Sequence, residues 1–323
     1  MLLQVIHPGT FASIQDLGRF SARSFGVPVG GAVDVYSHRM ANLVVGNEAN
    51  AATIEIAGGG FRVKTLTAGW LALAGTNKIL KINDLPVENG RKVWVPPDAV
   101  IAVSGTGNYH YLAVPGGWQV PEVLGSRSYC KAGQFGGGQG RGLQAGNWLT
   151  ALPWNEASNE PKPKWQISPD ICFPQTRRNE IGAIIIRVLS GPEWDWWDAS
   201  AHSVFFSTCF CVSDRRDRMG IRLESASNFK HPDAGKMLSS GVTIGAIQVP
   251  PDGQPFALLG DAQTTGGYPR MVQVAAADIP VLAQISSGQS LVFQLITFNE
   301  AVHLMEEREK LFRYLEVAVN HAR

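Results

Sequence analysis

Polar residues able to hold a ligand are concentrated in one stretch, Asp261-Ala262-Gln263-Thr264-Thr265-Gly266-Gly267-Tyr268-Pro269-Arg270. It lies between two apolar, strand-like segments, Phe256-Ala257-Leu258-Leu259 and Met271-Val272-Gln273-Val274. A loop that only turns the chain needs one or two special residues. This one carries an amide (Gln263), two hydroxyls (Thr264, Thr265), the Gly266-Gly267 pair and the Tyr268 phenol. Loops held between rigid strands often display such groups to a ligand. Upstream, Ser213 to Arg222 packs four Arg and two Asp into ten residues. Mixed-sign clusters usually pair with each other in solvent; the alternative is that one Arg points inward, toward the Gln263 loop. Gln248 lies inside an apolar strand, where a buried amide must find partners.

The first half holds further constellations. Gln15-Asp16-Leu17-Gly18-Arg19 is followed by Gly26-Val27-Pro28 and Gly30-Gly31-Ala32-Val33-Asp34. A loop arginine such as Arg19 suits bidentate binding of a carboxylate or phosphate. The plain reading is turn chemistry, with Asp34 an N-cap and Asp16–Arg19 a weak surface pair. Asn42 falls mid-helix, where Asn is mildly unfavourable; it is either exposed or aimed into a site. Leu124-Gly125-Ser126-Arg127-Ser128 and Phe135-Gly136-Gly137-Gly138-Gln139-Gly140-Arg141-Gly142 add glycines that let backbone N–H groups approach an anion. Arg127 and Arg141 could supply charge there, although bulges and tight turns use glycine too.

The elements that must position these groups are mainly strands. Short apolar or alternating runs at Leu2–Ile6, Phe61–Leu66, Trp70–Leu73, Val93–Val95, Val100–Val103 and Tyr109–Val114 are punctuated by Gly, Pro, Asn and Asp, as in sandwiches and barrels. Asn83-Asp84 and Asn89-Gly90 read as tight turns. Asp34 can start a helix in which Tyr36, Met40, Leu43 and Val44 recur at helical spacing before Gly46-Asn47 stops it. Residues 151–183 change character: Pro153, Pro161, Pro163, Pro169 and Pro174 mark a linker or extended crossover. The expected division is therefore a β-rich domain over 1–150, the crossover over 151–183, and a second β-rich domain over 184–323. Asn299 is expected to cap a carboxy-terminal helix with Val302, Met305, Phe312 and Leu315 as its apolar stripe.

Composition narrows the function classes. Lys+Arg is 28 and Asp+Glu 27, so no global field draws the chain to nucleic acid or an anionic membrane. Charged residues are only 17%, with nine Trp, so either a partner covers much surface or the core is large. None of Cys130, Cys172, Cys209 and Cys211 forms a C-x-x-C, and the longest apolar run, Ile181 to Leu189, contains Arg187. The expectation is a reduced, cytoplasmic protein with buried thiols and no membrane association. There is no P-loop, no G-x-G-x-x-G, no H-E-x-x-H and no G-x-S-x-G, and nothing sets out a metal site.

Taken in order, Ile14-Gln15-Asp16-Leu17-Gly18-Arg19, Gly31-Ala32-Val33-Asp34, Ala41-Asn42…Val45-Gly46-Asn47, Leu124 to Ser128, Arg218 to Leu223 and Gln263 to Pro269 resemble the biotin-dependent carboxyltransferase family. The similarity is to the branch holding allophanate hydrolase subunit 2, KipA and the C component of prokaryotic 5-oxoprolinase. Val33, Ser13, Tyr129-Cys130 and Asn147 depart from the usual residues, and Asn147 removes a customary carboxylate. The resemblance implies mainly β structure with a few helices in two β-rich domains, the second a cyclophilin-like β-barrel. It implies a KipI-like partner, the B component of such a complex, with an A component as a further partner, and ATP with Mg²⁺ in the assembly. On that reading the complex activates 5-oxoproline for hydrolysis to L-glutamate. Asp16 or Asp34 would serve proton transfer or metal contact, Arg127 or Arg218 the anion, and Thr264, Thr265 and the Gly266-Gly267 amides hydrogen bonding. Gln15, Arg19, Asn42, Arg141, Gln248, Gln263 and Tyr268 complete the expected site. The alternatives are carboxyl transfer to urea or a related amide with a biotinylated partner chain, or a non-catalytic regulatory role of the KipA type.

Overall fold

The computed structural model describes residues 1–154, 165–168, 170–226 and 237–321. Two compact units emerge, neither continuous in sequence: Met1–Ser21 with Gly30–Gln175 and Leu311–Arg323, and Ala22–Val29 with Thr176–Lys310. We call them the amino-terminal and the barrel unit.

The strands of the amino-terminal unit are β1 (Leu2–Pro8), β2 (Phe11–Gln15), β3 (Thr53–Ala57), β4 (Phe61–Thr65), β5 (Gly69–Gly75) and β6 (Lys78–Ile82). They continue with β7 (Leu85–Val87), β8 (Val93–Val95), β9 (Val100–Gly105), β10 (Tyr109–Ala113) and β11 (Trp148–Thr150). One sheet runs β11-β1-β4-β9-β6-β7 and the other β2-β3-β10-β5-β8. Alternation along the strands sends Leu3, Val5, Val63, Ile101 and Val103 from the first sheet into one buried cluster with Ile54, Ile56, Leu71 and Leu112 from the second. The tight turn expected at Asn83-Asp84 joins β6 to β7, both residues taking positive φ (50° and 64°) as a type I′ hairpin requires.

Helix α1 (Val35–Val45) forms where the spacing predicts it and packs on β5 and β10. Asp34 caps it by accepting from the Ser37 N–H at 2.9 Å, and Gly46 ends it in the left-handed conformation (φ 79°). Two buried histidines belong to this unit. His38 sits on α1, with Nδ1 2.9 Å from Thr53 Oγ1 and Nε2 3.0 Å from the Ala49 carbonyl. His110 lies in β10, fully buried. Burial of each ring lowers its pKa to about 4, helped at His110 by the positive charge of Lys78.

Of the expected crossover, Ile167 donates to the Gly90 carbonyl (2.8 Å) and the Ile171 carbonyl accepts from the Tyr36 hydroxyl (2.6 Å), so these residues are pinned to the amino-terminal unit. Pro161, Pro163 and Pro169 lie outside the described residues.

The barrel unit contains β12 (Ile184–Ser190), helix α2 (Ala199–Ser207), β13 (Phe210–Arg216), β14 (Gly220–Glu224), β15 (Ser240–Gly241), β16 (Ala246–Gln248) and β17 (Phe256–Leu258). Then come β18 (Thr265–Gly266), β19 (Arg270–Val274), helix α3 (Ile279–Gln284) and β20 (Ser290–Leu295). Strands β12-β19-β16-β17-β14-β13-β20 close into a barrel, as expected, with β12 parallel to β20. Ile186, Val188, Ile221, Leu223, Val272 and Phe293 are buried. Phe205 from α2 stacks on Phe293 with ring centroids 5.0 Å apart.

Two sequence expectations need correction. Helix α4 (Phe298–His321) is not capped by Asn299. Thr297 and Glu300 make a reciprocal capping box: the Thr297 N–H donates to Glu300 Oε2 at 2.7 Å, and the Glu300 N–H to Thr297 Oγ1 at 3.3 Å. Nor are all the thiols buried: Cys130 and Cys172 are, whereas Cys209 and Cys211 are exposed. Cys211 alternates with buried Phe210 and Val212, so the pleat turns it outward.

Candidate functional site

In the amino-terminal unit, four expected residues converge. Strand β2 delivers Gln15 and Asp16 to a junction with the loop Ser126–Ser128. Asp16 is buried, and its carboxylate accepts four hydrogen bonds: from the Gly18 N–H (2.8 Å), Ser126 Oγ (2.6 Å), Ser128 Oγ (2.5 Å) and the Arg127 N–H (2.6 Å). Burial alone would raise its pKa; the two serine hydroxyls and two amides outweigh it and hold Asp16 below its ordinary value. Asp16 is thus a fastener that fixes Arg127 from 111 residues away in sequence. Arg19 is equally buried, donates through Nη2 to the Ser128 carbonyl and stands over the Phe135 ring at 4.9 Å. Gln15 Nε2 donates to Ser13 Oγ and the Tyr129 carbonyl. Gly136, at φ 74°, passes so close that a Cβ would stand 2.2 Å from the Ser128 carbonyl oxygen.

Arg127 is the member of this group that reaches outward. Its backbone is held at both ends: its N–H by Asp16, its carbonyl by the Gly137 N–H at 3.0 Å. Its guanidinium touches Glu122 Oε1 at 2.7 Å, a partly exposed pair, and borders a cavity of about 300 Å³. A second cavity, about 210 Å³, is bordered by Arg141, whose Nε and Nη2 donate to Gln139 Oε1 at 3.2 and 3.0 Å.

Asp34 and Asn42 are not drawn into either cavity. The Asp34 carboxylate caps α1, and its N–H donates to the Tyr111 hydroxyl (2.8 Å), which itself donates to Glu55 Oε2 at 2.8 Å. Asn42 Nδ2 donates to the Ala51 carbonyl (2.8 Å), and its Oδ1 accepts from Asn47 Nδ2 at 2.9 Å. Sequence reasoning passed over Glu55, and it named Ser126 and Ser128 only as members of the Leu124 to Ser128 motif, with no role for their hydroxyls. Glu55 carried a signal, a carboxylate inside the strand Thr-Ile-Glu-Ile-Ala.

In the barrel unit, Arg218 turns inward. Its Nε and Nη2 form a bidentate pair with Asp261 at 2.9 and 2.8 Å, both side chains buried, and the Asp261 N–H donates to the Arg218 carbonyl at 2.9 Å. The pair anchors the root of the Gln263 loop. The tip is tied by β18, which pairs with β15, and by Gln248, whose Nε2 donates to the Tyr268 carbonyl at 3.3 Å. Gly266 passes close to that amide: a Cβ would come within 2.5 Å of Gln248 Nε2 and displace the Gln248 side chain. The Thr264 carbonyl accepts from the Val242 N–H (3.0 Å). Gln263, Thr265, Gly267 and Tyr268 face outward. Glu193 and Arg270, not foreseen, form a second bidentate pair beside the loop. Replacing Arg218 by Ala strands the Asp261 charge, so urea denaturation is expected to show a loss of about 3–5 kcal/mol. Little change on that substitution would mean that Asp261 finds another partner.

Among the described residues, no group of three His, Cys, Asp or Glu is placed to hold a metal ion, and no helix is long and apolar enough to cross a membrane.

The fold of this chain is shared with proteins of known structure. The chain belongs to the family described as carboxyltransferase domain, subdomain A and B, whose model matches residues 25–295. It is 34% identical to the C subunit of 5-oxoprolinase from Escherichia coli (strain K12) over 316 residues, 97% of each chain. It is 30% identical over 329 residues to urea amidolyase of Lachancea kluyveri, covering 97% of this chain but 18% of that one. Among solved structures, Kluyveromyces lactis urea carboxylase is similar with a TM-score of 0.85 at 27% identity, over 97% of this chain and 29% of that one.

Proposed function

We propose that this chain is the C component of an ATP-dependent 5-oxoprolinase, acting in the cytoplasm with a KipI-like B component to activate 5-oxoproline for hydrolysis to L-glutamate. The observation that carries this reading is the end-to-end match to the 5-oxoprolinase relative, whereas this chain spans only 18% of the urea amidolyase. A lactam is a poor electrophile because its nitrogen lone pair is delocalised into the carbonyl. ATP would supply a phosphoryl group to the lactam oxygen, releasing ADP and making the ring carbon electrophilic; water then adds at that carbon, the ring C–N bond breaks as its nitrogen takes a proton, and the resulting acyl phosphate is hydrolysed to glutamate and phosphate. The described residues of this chain do not fit an Mg²⁺–ATP site of their own: Asp16 already accepts four hydrogen bonds and Asp34 caps a helix. On this reading ATP and Mg²⁺ act in the complex assembled with the KipI-like partner, and an A component completes the hydrolysis. This chain's part is to hold and orient the lactam acid, and the outward side chains of the Gln263 loop are the groups of the barrel unit expected to serve turnover.

The test is co-expression with a KipI-like chain and measurement of 5-oxoproline-dependent ATP hydrolysis. Turnover is expected from the pair and not from this chain alone. Gln263→Ala is expected to lower turnover about tenfold or more without moving the melting midpoint, because its side chain is exposed. A second reading, carboxyl transfer to urea or a related amide from a biotinylated partner chain, is favoured by the TM-score with urea carboxylase. Urea carboxylation by the chain with a biotinylated carrier, and no 5-oxoproline turnover by the pair, would establish it over the first. A complex that turns over neither substrate would leave the KipA-type regulatory role.

A further inference from the structure

We propose that the cavity of about 300 Å³ beside Arg127 seats the substrate itself, a small cyclic amide bearing a carboxylate. This rests on the 5-oxoprolinase reading and adds to it the place and the groups that recognise the ligand.

The cavity lies wholly within the amino-terminal unit, and its lining is mostly apolar, from Trp118, Leu152 and Trp154 among others. Its size is at the lower end of small-molecule pockets, which are typically apolar with a few placed polar groups. The flat methylene face of a five-membered ring suits an indole wall. Trp118 is buried and fixed, its Nε1 donating to the Leu112 carbonyl at 3.3 Å. Trp154 lines the cavity and is 41% exposed, so its fluorescence can report a ligand there.

Four polar side chains share this lining: Asn47, whose amide is taken up by Asn42, the Val114 carbonyl and the Gly116 N–H, and Arg127, Glu48 and Asn50. Arg127 is pre-positioned, since Asp16 and the Gly137 amide fix its backbone on both sides. Its present partner, Glu122, is more than half exposed, and such a pair is worth little. A ligand carboxylate in a partly dry cavity offers the same guanidinium a better bidentate partner. Glu48 is exposed and forms no ion pair among the described residues, so it can accept the lactam N–H. Asn50 Oδ1 accepts from the Leu17 N–H at 3.0 Å, which fixes the amide and leaves its NH₂ as a donor for the lactam oxygen. Donor for carboxylate, acceptor for N–H and donor for C=O match the three polar groups of 5-oxoproline. Asp16 acts through Arg127 and is a positioning residue.

The experiment has two arms. In the assembled, ATP-fed pair, Arg127→Gln is expected to raise KM for 5-oxoproline about thirtyfold with KM for ATP unchanged, and Arg127→Lys to recover part of the loss. In the isolated full chain, 5-oxoproline is expected to quench Trp154 fluorescence. 2-Pyrrolidinone, which lacks the carboxylate, should do so far more weakly, and Arg127→Gln should erase that preference. Trp154→Phe identifies the signal. An active wild-type pair whose KM is untouched by Arg127→Gln overturns the cavity assignment and leaves the 5-oxoprolinase reading standing. Arg127-dependent binding by the chain with no turnover by the pair overturns the reading and leaves the cavity. Neither binding nor turnover overturns both.

Discussion

Lowering the pH from about 7 to about 4.5 is expected to strip several kcal/mol of stability from the amino-terminal unit. His38 and His110 are both fully buried, and burial lowers each pKa from 6.5 to about 4. A histidine with a depressed folded-state pKa binds its proton more readily in the unfolded chain. Its contribution is therefore complete above about pH 6.5 and is lost as the pH falls toward 4. Each residue accounts for about 3 kcal/mol over that window, and the two together give a slope of about 2.7 kcal/mol per pH unit in its middle. Domains typically hold about 5–15 kcal/mol in reserve, so this acid sensitivity is a large fraction of the total. Asp16, held below the ordinary carboxylate value, becomes protonated only at lower pH still and does not shape this window. Urea denaturation followed at a series of pH values measures the slope, and replacing His110 by Phe should halve it. Stability that stays flat between about pH 7 and 5 would falsify the buried-neutral assignment.

Asp16→Ala is expected to be as damaging as Arg218→Ala. It removes the acceptor for two amides and two hydroxyls at a buried junction. Hydrogen bonds to a charged acceptor are worth more than neutral ones, and stranded donors carry the full cost of desolvation. The expected loss is roughly 3–5 kcal/mol by urea denaturation. Asp16→Asn keeps one acceptor oxygen and should lie between. Because Ser126 and Ser128 act through the same carboxylate, Ser126→Ala and Ser128→Ala are expected to cost much less in the Asp16→Ala background than alone. Additive effects would mean that the hydroxyls matter chiefly as acceptors, Ser126 Oγ for the Ser128 N–H and Ser128 Oγ for the Asp16 N–H, and not as donors to the carboxylate.

Much of the architecture is legible in the sequence because local signals agree. Asp34, the spacing of Tyr36, Met40, Leu43 and Val44, and Gly46 each point to the same helix, and the structure forms it. The carboxy-terminal helix is legible but its start is not. Asn299 and Thr297 both suit an N-cap, and only the reach of Glu300 back to Thr297 decides between them. Cys211 departs from the general tendency of thiols toward burial; the alternation of Phe210 and Val212 about it is the better guide. For the candidate site, the motifs name the segments but not the side-chain directions. Nothing local tells that the carboxylate of Asp16 meets hydroxyls more than a hundred residues on, or that Arg218 points inward while Arg127 points out. The 300 Å³ cavity is built from residues between Asn47 and Trp154 that share no motif, so only the fold assembles it.

The division of the chain also has a consequence for how the protein is made. The amino-terminal unit begins with Met1 yet takes back Leu311 onward, and Phe312 packs edge-on against Tyr36 at 5.0 Å and under Arg39 at 4.0 Å. A ribosome delivers the first β-strands long before it delivers Phe312. The unit begun first is therefore finished last, and its partly built form must wait, without the Phe312 ring against Tyr36 and Arg39, while the entire barrel is synthesised.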